Sequence, residues 1–227
     1  MDASFRRARQ PEQKEQRREA ILAAARDLAL DAGVAGVSLG DIAKAVGLVK
    51  SNVLRYFGTR EEIYLQLTMR GGTEWADAVC DRLAAVSGID GMAAALADSF
   101  AERPLYCDLV SHAETMLEHN VSIEVLHTSK LWAIGMYARV GDRIVAACPE
   151  LTGSQGAAVV FAAGAFVGRL HPITRPPAAL AELYAREPAI AAVFPSFRPA
   201  LHRFIAATAA GLREVGDEPP RQPDPPS

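Results

Sequence analysis

Prolines divide the chain into two parts with different constraints on folding. Pro11 is the only proline before Pro104, and the other thirteen prolines begin there. Because proline lacks an amide hydrogen and clashes with the preceding helical turn, helix interiors exclude it. Residues 12–103 can therefore be almost entirely helical, and the later prolines are predicted to separate further helices. No segment alternates apolar and polar residues with β-branched enrichment, so no strand is predicted and the fold class is all-α.

Composition excludes several classes of protein. The chain has 227 residues, of which 50% are hydrophobic and 22% charged, and this apolar content argues against disorder. The longest uncharged segment, 151–168, is interrupted by polar residues, so no membrane-spanning helix is predicted. No signal-peptide pattern is visible, and a cytoplasmic protein is expected. Cys80, Cys107 and Cys148 are far apart and odd in number, which favours reduced, buried thiols over disulfides.

Charge is distributed unevenly along the chain. Residues 1–60 contain eleven Lys or Arg against seven Asp or Glu, whereas residues 61–227 contain thirteen against twenty. Such an asymmetry indicates a module that faces a polyanion, joined to a body that does not. An ordinary solvated charged surface is the alternative interpretation.

The N-terminal part shows the start and stop signals of consecutive helices. Apolar side chains at one-face spacing predict a first helix over Glu12–Ala32, which Gly33 and Gly36 end. Ser38 is predicted to cap a second helix, with Asp41 as a shortened capping-box partner.

The second helix is predicted to end near Val46, where Gly47 allows the backbone to leave it sharply. A third helix follows over Lys50–Phe57, and Thr59 with Glu62 forms a capping box for a fourth. A helix, a tight glycine turn and a second short helix together indicate a helix-turn-helix motif.

The third helix has one polar face suited to DNA. Asn52 can pair bidentately with adenine and Arg55 with guanine, while Lys50, Ser51 and Tyr56 can bind phosphate oxygens. A short helix that presents these groups fits the major groove. A polar face is often only solvated, but the capped helix and glycine turn before it favour DNA recognition. The residues predicted to point inward are Val53, Leu54 and Phe57.

The segment VSLGDIAKAVGLVKSNVLRYF at residues 37–57, followed by GTREEIYLQL, resembles the DNA-binding domain of the TetR family of bacterial transcriptional regulators. The resemblance covers roughly residues 15–67. It implies an all-helical homodimer that binds a palindromic double-stranded DNA operator and represses transcription until a small molecule releases it. It also implies that Lys50–Phe57 is the recognition helix and that Ser38 stands at a phosphate-contacting helix start.

Two residues depart from the family's pattern. Val49 occupies a position that is commonly serine, so the recognition helix loses a side-chain cap typically worth about 1 kcal/mol. Leu54 stands where the family often has a phosphate-binding tyrosine.

Four regions are predicted in order along the chain. Residues 1–11 form a basic flexible arm whose Arg6, Arg7 and Arg9 can enter a minor groove or follow phosphates. The other regions are the helix-turn-helix domain at 12–59, a helical effector-binding and dimerisation domain at 60–215, and a disordered tail at 216–227. Helical blocks of the third region are predicted at about 60–86, 90–102, 104–118, 122–147, 152–174, 177–187 and 196–215.

The body is predicted to bind a small-molecule effector through aromatic, Met and His side chains, because these line adaptable apolar cavities. Each of them can equally be an ordinary core residue. The candidates are Phe100, Tyr106, His112, Met116, Trp132, Met136, Phe161 and Phe166.

The block at 152–174 is apolar around nearly its whole circumference, which favours burial both within the subunit and against a second copy. Together with the last block it predicts a dimerising four-helix bundle, and an ordinary core pair is the alternative. The candidate interface residues are Val160, Gly164, Gly168, Phe204 and Thr208.

No nucleotide-binding, hydrolase or metalloprotease motif is present, so neither an enzyme nor a cofactor is predicted. Glu114 and Glu118 lie one turn apart without a partner that identifies a catalytic task. His119, His127, His171 and His202 lack metal-ligand spacing, so no metal is predicted. A DNA-binding regulator that responds to a protein partner, or to no ligand, is the remaining alternative.

Overall fold

A computed structural model describes the backbone of residues 3–215 and the side chains of residues 12–215. The described residues form eleven α-helices and no strand, which confirms the all-α prediction. The predicted tail at 216–227 lies outside the described residues. The helices are α1 (Ala3–Ala32), α2 (Leu39–Ala45), α3 (Lys50–Val53), α4 (Arg60–Leu83), α5 (Gly88–Ala101), α6 (Pro104–His112), α7 (Ile123–Ala147), α8 (Gly153–Thr174), α9 (Ala178–Arg186), α10 (Pro188–Ala191) and α11 (Phe197–Val215).

Helix α1 begins earlier than the sequence predicts. The helix extends back to Ala3, so the backbone of residues 3–11, predicted as a flexible arm, is helical. The side chains of Arg6, Arg7 and Arg9 lie outside the described residues. From residue 21 onward the helix buries a one-face stripe that ends with Ala29, as the spacing predicts.

The N-terminal core lies between α1, α2, α3 and the first half of α4. Ile21, Ile42, Val53 and Ile63 are fully buried there, one from each helix. Leu117, which follows α6 in the body, is buried in the same cluster. The body therefore inserts side chains directly into the core of the helix-turn-helix domain.

Helix α4 belongs to both cores. Its first half packs Ile63 and Tyr64 into the N-terminal cluster, and its second half packs Trp75 and Val79 into the body. The sequence placed the domain boundary at 59/60, and the packing shows one continuous helix crossing from the N-terminal core into the body core.

The body core is formed by α4, α5, α6, α7, α8 and α11. Helices α7 and α8 approach so closely that a Cβ on Gly141 would lie 2.6 Å from the amide nitrogen of Ala157. Glycine is required at that crossing because any side chain would push the two helices apart. The thiols of Cys80, Cys107 and Cys148 are buried and free, as predicted.

Helix α8 is, by length and composition, the one helix of the described chain apolar enough to cross a membrane. In the fold it packs against α6, α7 and α11 and supplies Val160, Ala163 and Val167 to the buried core. This is the packing of a core helix. Pro172 lies inside its last turn, so this proline does not separate two helices as the later prolines were predicted to do.

Two segments differ from the predicted blocks. The block predicted at 104–118 is an α-helix only to His112 and continues as a π-helix over Ala113–Leu117. The block predicted at 177–187 is followed by the additional short helix α10, and neither α9 nor α10 contains a buried residue.

Candidate functional site

Helix α2 begins at the predicted capping box. The Ser38 hydroxyl accepts a hydrogen bond from the Asp41 amide (3.2 Å) and donates to the Asp41 carboxylate (2.6 Å), which also accepts from the Ser38 amide (2.9 Å). These bonds, with Lys44 and Lys50 nearby, hold the pKa of Asp41 below its usual value. The Ser38 hydroxyl proton is thus already engaged within the protein, and its role as a phosphate contact stays a prediction.

The turn after α2 is built on Gly47, which has a φ of +66°. The Leu48 amide donates to the Ala43 carbonyl (2.8 Å) and the Gly47 amide to the Lys44 carbonyl (3.2 Å). These two bonds form a Schellman motif, which needs a left-handed residue and therefore favours glycine. The glycine turn predicted from the sequence is confirmed.

Helix α3 is shorter than predicted. Its regular part covers Lys50–Val53, and a tighter turn carries the chain to Phe57, where the Phe57 amide still donates to the Val53 carbonyl (3.1 Å). Val49 precedes the helix without a side-chain cap, in agreement with the loss of the cap predicted at that position.

The outer face of α3 is largely as the periodicity predicts. Ser51, Asn52 and Arg55 are exposed, and Tyr56 is half-buried. Lys50 is also exposed, and a Cβ on Gly40 would lie 3.4 Å from its Nζ atom. The Lys50 ammonium group therefore lies over the first turn of α2.

The inward prediction is correct for Val53 and Phe57, which are buried, and wrong for Leu54, which is 44% exposed. Leu54 follows the last regular residue of a one-turn helix, where the chain already tightens, so the 100° spacing no longer predicts its direction.

Arg18 of α1 holds the end of Lys50–Phe57, which is called the recognition segment because it covers the predicted recognition helix. Its guanidinium donates to the Tyr56 carbonyl and to Gln66 Oε1 (3.0 Å), and it lies 4.2 Å from the centroid of the Phe57 ring. The segment is thereby fixed to both α1 and α4, so the exposed side chains project from a rigid support.

A groove of about 1000 Å³ runs between α1 and the recognition segment. Asn52, Arg55 and Tyr56 line one side of it, and polar and basic side chains of α1 line the other. Sequence reasoning missed the α1 side, although its residues share one helix face. They are Gln13, Lys14, Gln16 and Arg17.

The body contains a cavity of about 410 Å³ between α4, α6, α7 and α8. It brings together five of the eight predicted effector residues, which are Phe100, Tyr106, Trp132, Met136 and Phe161. The cavity also contains Trp75 and Tyr137, which sequence reasoning missed.

Three predicted effector residues lie elsewhere. His112 faces Asp108, with 3.5 Å between Nε2 and Oδ1. Met116 contacts the Arg60 guanidinium, and Phe166 stacks on Phe204 with 4.0 Å between ring centroids.

The polar side chains of the cavity include the hydroxyls of Tyr106 and Tyr137, the carboxylates of Glu114 and Glu118, and the cations Lys130 and Arg169. Burial raises the pKa of Tyr106, and burial together with the negative charges of Glu114 and Glu118 raises that of Tyr137. Neither hydroxyl hydrogen-bonds another described residue, so both are available to a ligand. Glu118 is paired with Lys130 at 2.7 Å.

The predicted interface residues divide into two groups. Val160 is 1% exposed within the subunit, and Gly168 faces the Val110 backbone, where a Cβ would lie 3.6 Å from the carbonyl oxygen. Val160 is therefore a core residue of its own subunit, whereas Gly168 is half-buried and its contact with a second copy stays a prediction. Gly164 lines the cavity, while Phe204 and Thr208 are half-buried on α11.

Within residues 12–215, no three His, Cys, Asp or Glu side chains come together as a metal site. A capped helix, a glycine turn and a second helix with an exposed polar face define a helix-turn-helix DNA-binding protein.

Family comparison agrees with this assignment. The model for bacterial regulatory proteins of the tetR family matches residues 21–67, and the model for the tetracyclin repressor-like C-terminal domain matches residues 69–216. The chain therefore belongs to the TetR family of transcriptional regulators. Comparison with curated proteins gives no match.

Solved structures are similar to this chain at low sequence identity. The fatty acid degradation regulator FadR from Bacillus halodurans is 12% identical with a TM-score of 0.50, over 86% of this chain and 93% of that one. A Mesorhizobium loti protein assigned to the TetR family is 13% identical with a TM-score of 0.45, over 89% and 97%. A Streptomyces coelicolor protein described as a transcriptional regulator is 21% identical with a TM-score of 0.41, over 87% and 97%.

Proposed function

We propose that the chain is a cytoplasmic, homodimeric repressor that binds a palindromic operator in double-stranded DNA and is released by a small apolar or amphipathic effector. The observation that carries this proposal is the exposure of Asn52 and Arg55 on a recognition segment that Arg18 anchors at its end. Asparagine and arginine are side chains that pair bidentately with bases in the major groove.

The groove beside α3 supports a duplex as the partner. Lys14 and Arg17 of α1 lie across it from Asn52 and Arg55, so the predicted base readers have phosphate-binding cations beside them on the α1 side. Contacts from cations to phosphates position a protein on a duplex, and contacts from neighbouring side chains to base edges recognise the sequence.

The outer face of α8 and α11 supports a second copy as the protein partner. Ala207 and Gly211 of α11 are exposed there, next to the stacked pair of Phe166 and Phe204. Small residues let helices of two subunits approach closely, and a two-fold dimer would present two recognition segments to a palindrome.

The connection between cavity and DNA face supports release by an effector. Helix α4 contributes Trp75 to the cavity and Ile63 to the N-terminal core, so a ligand that displaces α4 moves both. Such a ligand acts only if it binds more tightly to the state that fits DNA poorly.

The test is a mobility-shift assay on DNA upstream of the chain's own and adjacent coding sequences, with and without a panel of apolar compounds. We expect binding of one fragment, loss of that binding in Arg55→Ala, and retention in the control Arg26→Ala, which removes an exposed charge that pairs with Asp27. Release by a compound supports the repressor. Binding that no compound alters indicates control by a protein partner or no ligand control, and equal loss in both variants contradicts the assigned face.

A further inference from the structure

A second cleft lies on the opposite side of α6 from the helix-turn-helix domain. It has a volume of about 460 Å³ and lies between α6, the end of α8 and the segment that carries α9 and α10. Helices α9 and α10 pack chiefly against each other and contain no buried residue. They therefore form an outer wall whose conformation the core does not dictate.

His171 is a buried polar side chain that faces this cleft. It is 7% exposed, and neither ring nitrogen hydrogen-bonds another described residue. Within the described residues every fully enclosed side-chain nitrogen or oxygen has a hydrogen-bond partner, so the unpaired His171 nitrogens keep some exposure. His171 is also a lining residue of the cleft. Burial, with the Arg175 guanidinium nearby, lowers the pKa of His171, so its imidazole is neutral at pH 7 and offers one donor and one acceptor.

Arg175 supplies an uncommitted positive charge to the cleft. It lines the cleft next to His171 and forms no ion pair with any residue between 12 and 215. Its charge also counteracts the rise in the pKa of the Cys107 thiol, so the guanidinium lies near this second lining residue. The neighbouring Arg198 is already held by the Asp98 carboxylate.

The rest of the lining includes four aromatic rings and contains no acid among the described residues. The Asp108 carboxylate lies behind the lining, close enough to His171 to oppose the fall in its pKa. Tyr184 and Phe194 lie 5.3 Å apart between ring centroids, and Phe197 meets the His171 ring edge-on at 6.1 Å. A cation and a neutral imidazole at one end, with aromatic rings around them, match a ligand that has an anionic head and an apolar body.

We propose that this cleft binds an amphipathic carboxylate, with its head on Arg175 and His171 and its body between Phe194 and Phe197. This site is separate from the body cavity that contains Trp132 and Tyr137. Occupancy of the cleft does not depend on DNA binding, so the proposal can fail while the repressor assignment stands, and the reverse.

The experiment is isothermal titration calorimetry of the full chain with naphthalene-2-carboxylate, its neutral analogue naphthalene-2-carboxamide, and decanoate. We expect at least one carboxylate to bind, and naphthalene-2-carboxylate to bind about tenfold more tightly than the carboxamide, as one charge-assisted hydrogen bond predicts. Arg175→Gln should remove that difference. Arg169→Gln is the matched control. Arg169 is another exposed arginine, on α8, and it lines the body cavity and not this cleft.

A second pair of variants locates the apolar body of the ligand. Phe194 is 43% exposed and Phe161 is 53% exposed, so neither truncation removes a core side chain. Phe194→Ala should weaken the carboxylate severalfold, and Phe161→Ala should leave its affinity unchanged. No binding by either carboxylate, equal affinity for carboxylate and carboxamide, or sensitivity to Arg169 and Phe161 instead of Arg175 and Phe194 would each overturn the proposal.

Discussion

The Asp108 carboxylate of α6 accepts a hydrogen bond of 2.7 Å from the backbone amide of Val34, in the turn that joins α1 to α2. This bond crosses from the body to the helix-turn-helix domain. Next to it, Arg60 at the start of α4 donates to the carbonyls of Val34 and Val37. Because α6 also places Tyr106 in the body cavity, one short helix touches both the effector site and the DNA-binding domain. A ligand that moves α6 would therefore disturb a defined bond at the domain junction.

Asp108→Asn tests the energetic weight of that bond. Burial opposes ionisation of Asp108, but hydrogen bonds from His112 and the Val34 amide outweigh burial, so the pKa is lowered. A carboxyl group with a lowered pKa in the folded state stabilises the protein above its unfolded pKa of about 3.9 and loses that contribution as the pH falls below it. We expect the variant to lose about 1–3 kcal/mol of unfolding free energy at neutral pH and less at about pH 3, where part of the contribution of the charge is already lost.

Urea denaturation of both proteins at the two pH values measures this difference. Asp77→Asn is the control, since Asp77 is exposed and pairs only with the exposed Arg139, so little change is expected. An equal loss for Asp108→Asn at both pH values would show that the charge has no stabilising role.

Gly72 of α4 lies against two side chains of the body cavity that leave no space for a Cβ atom. A Cβ there would lie 2.5 Å from Cη2 of Trp132 and 2.9 Å from the Tyr106 hydroxyl. Both rings are held by packing, so Gly72→Ala should destabilise the protein by about 1–3 kcal/mol despite the better helix propensity of alanine. Gly135→Ala on α7 is the matched control, because its Cβ would meet nothing within 4 Å, and it should stabilise by about 0.5–1 kcal/mol. Thermal unfolding of both variants measures the contrast, and a neutral Gly72→Ala would refute the predicted clash.

The sequence predicted the helix ends well where the signal is local. The Ser38 and Asp41 capping box, the Gly47 turn and the start of α4 at Thr59 are formed by residues within a few positions of one another. Side-chain caps and left-handed glycines act through neighbouring backbone groups, so all the residues involved are close together in the sequence. The π-helix after His112 has no comparable local signal, and its position was not predicted.

The sequence alone does not predict which neighbouring element or subunit covers an apolar surface. Helix α8 is apolar almost all round, and periodicity alone does not distinguish a face that meets its own subunit from one that meets a second copy. Val160 was therefore placed on the dimer face, whereas it is buried within its own subunit. The same limit explains why Lys14 and Arg17 were missed, because their position beside Arg55 depends on how α1 packs across α3.

Asn52→Ala tests base recognition. Asn52 is exposed on α3 and lines the groove, so it is placed to pair with adenine. The variant should lose about 1–3 kcal/mol of discrimination at one base pair while keeping its preference elsewhere in the operator. Binding measurements on a complete set of single base-pair substitutions measure this, with Lys14→Ala as a control expected to weaken all sequences alike. An unchanged substitution profile for Asn52→Ala would remove it from the base-reading residues.

Lys50→Ala tests phosphate contact through its salt dependence. The Lys50 ammonium group lies over the first turn of α2, where it also faces the negative charge of Asp41. If Lys50 neutralises one DNA phosphate, its removal should reduce the magnitude of the slope of log K against log salt by about 0.9, because one fewer counterion is released. If Lys50 serves only to balance Asp41 within the protein, affinity can fall while the slope stays constant. Lys130→Ala removes the same charge from the body, where Lys130 pairs with Glu118, and should leave the slope unchanged. Titrations of operator binding across a range of salt concentrations separate these outcomes, and an unaltered slope in Lys50→Ala would exclude the phosphate contact.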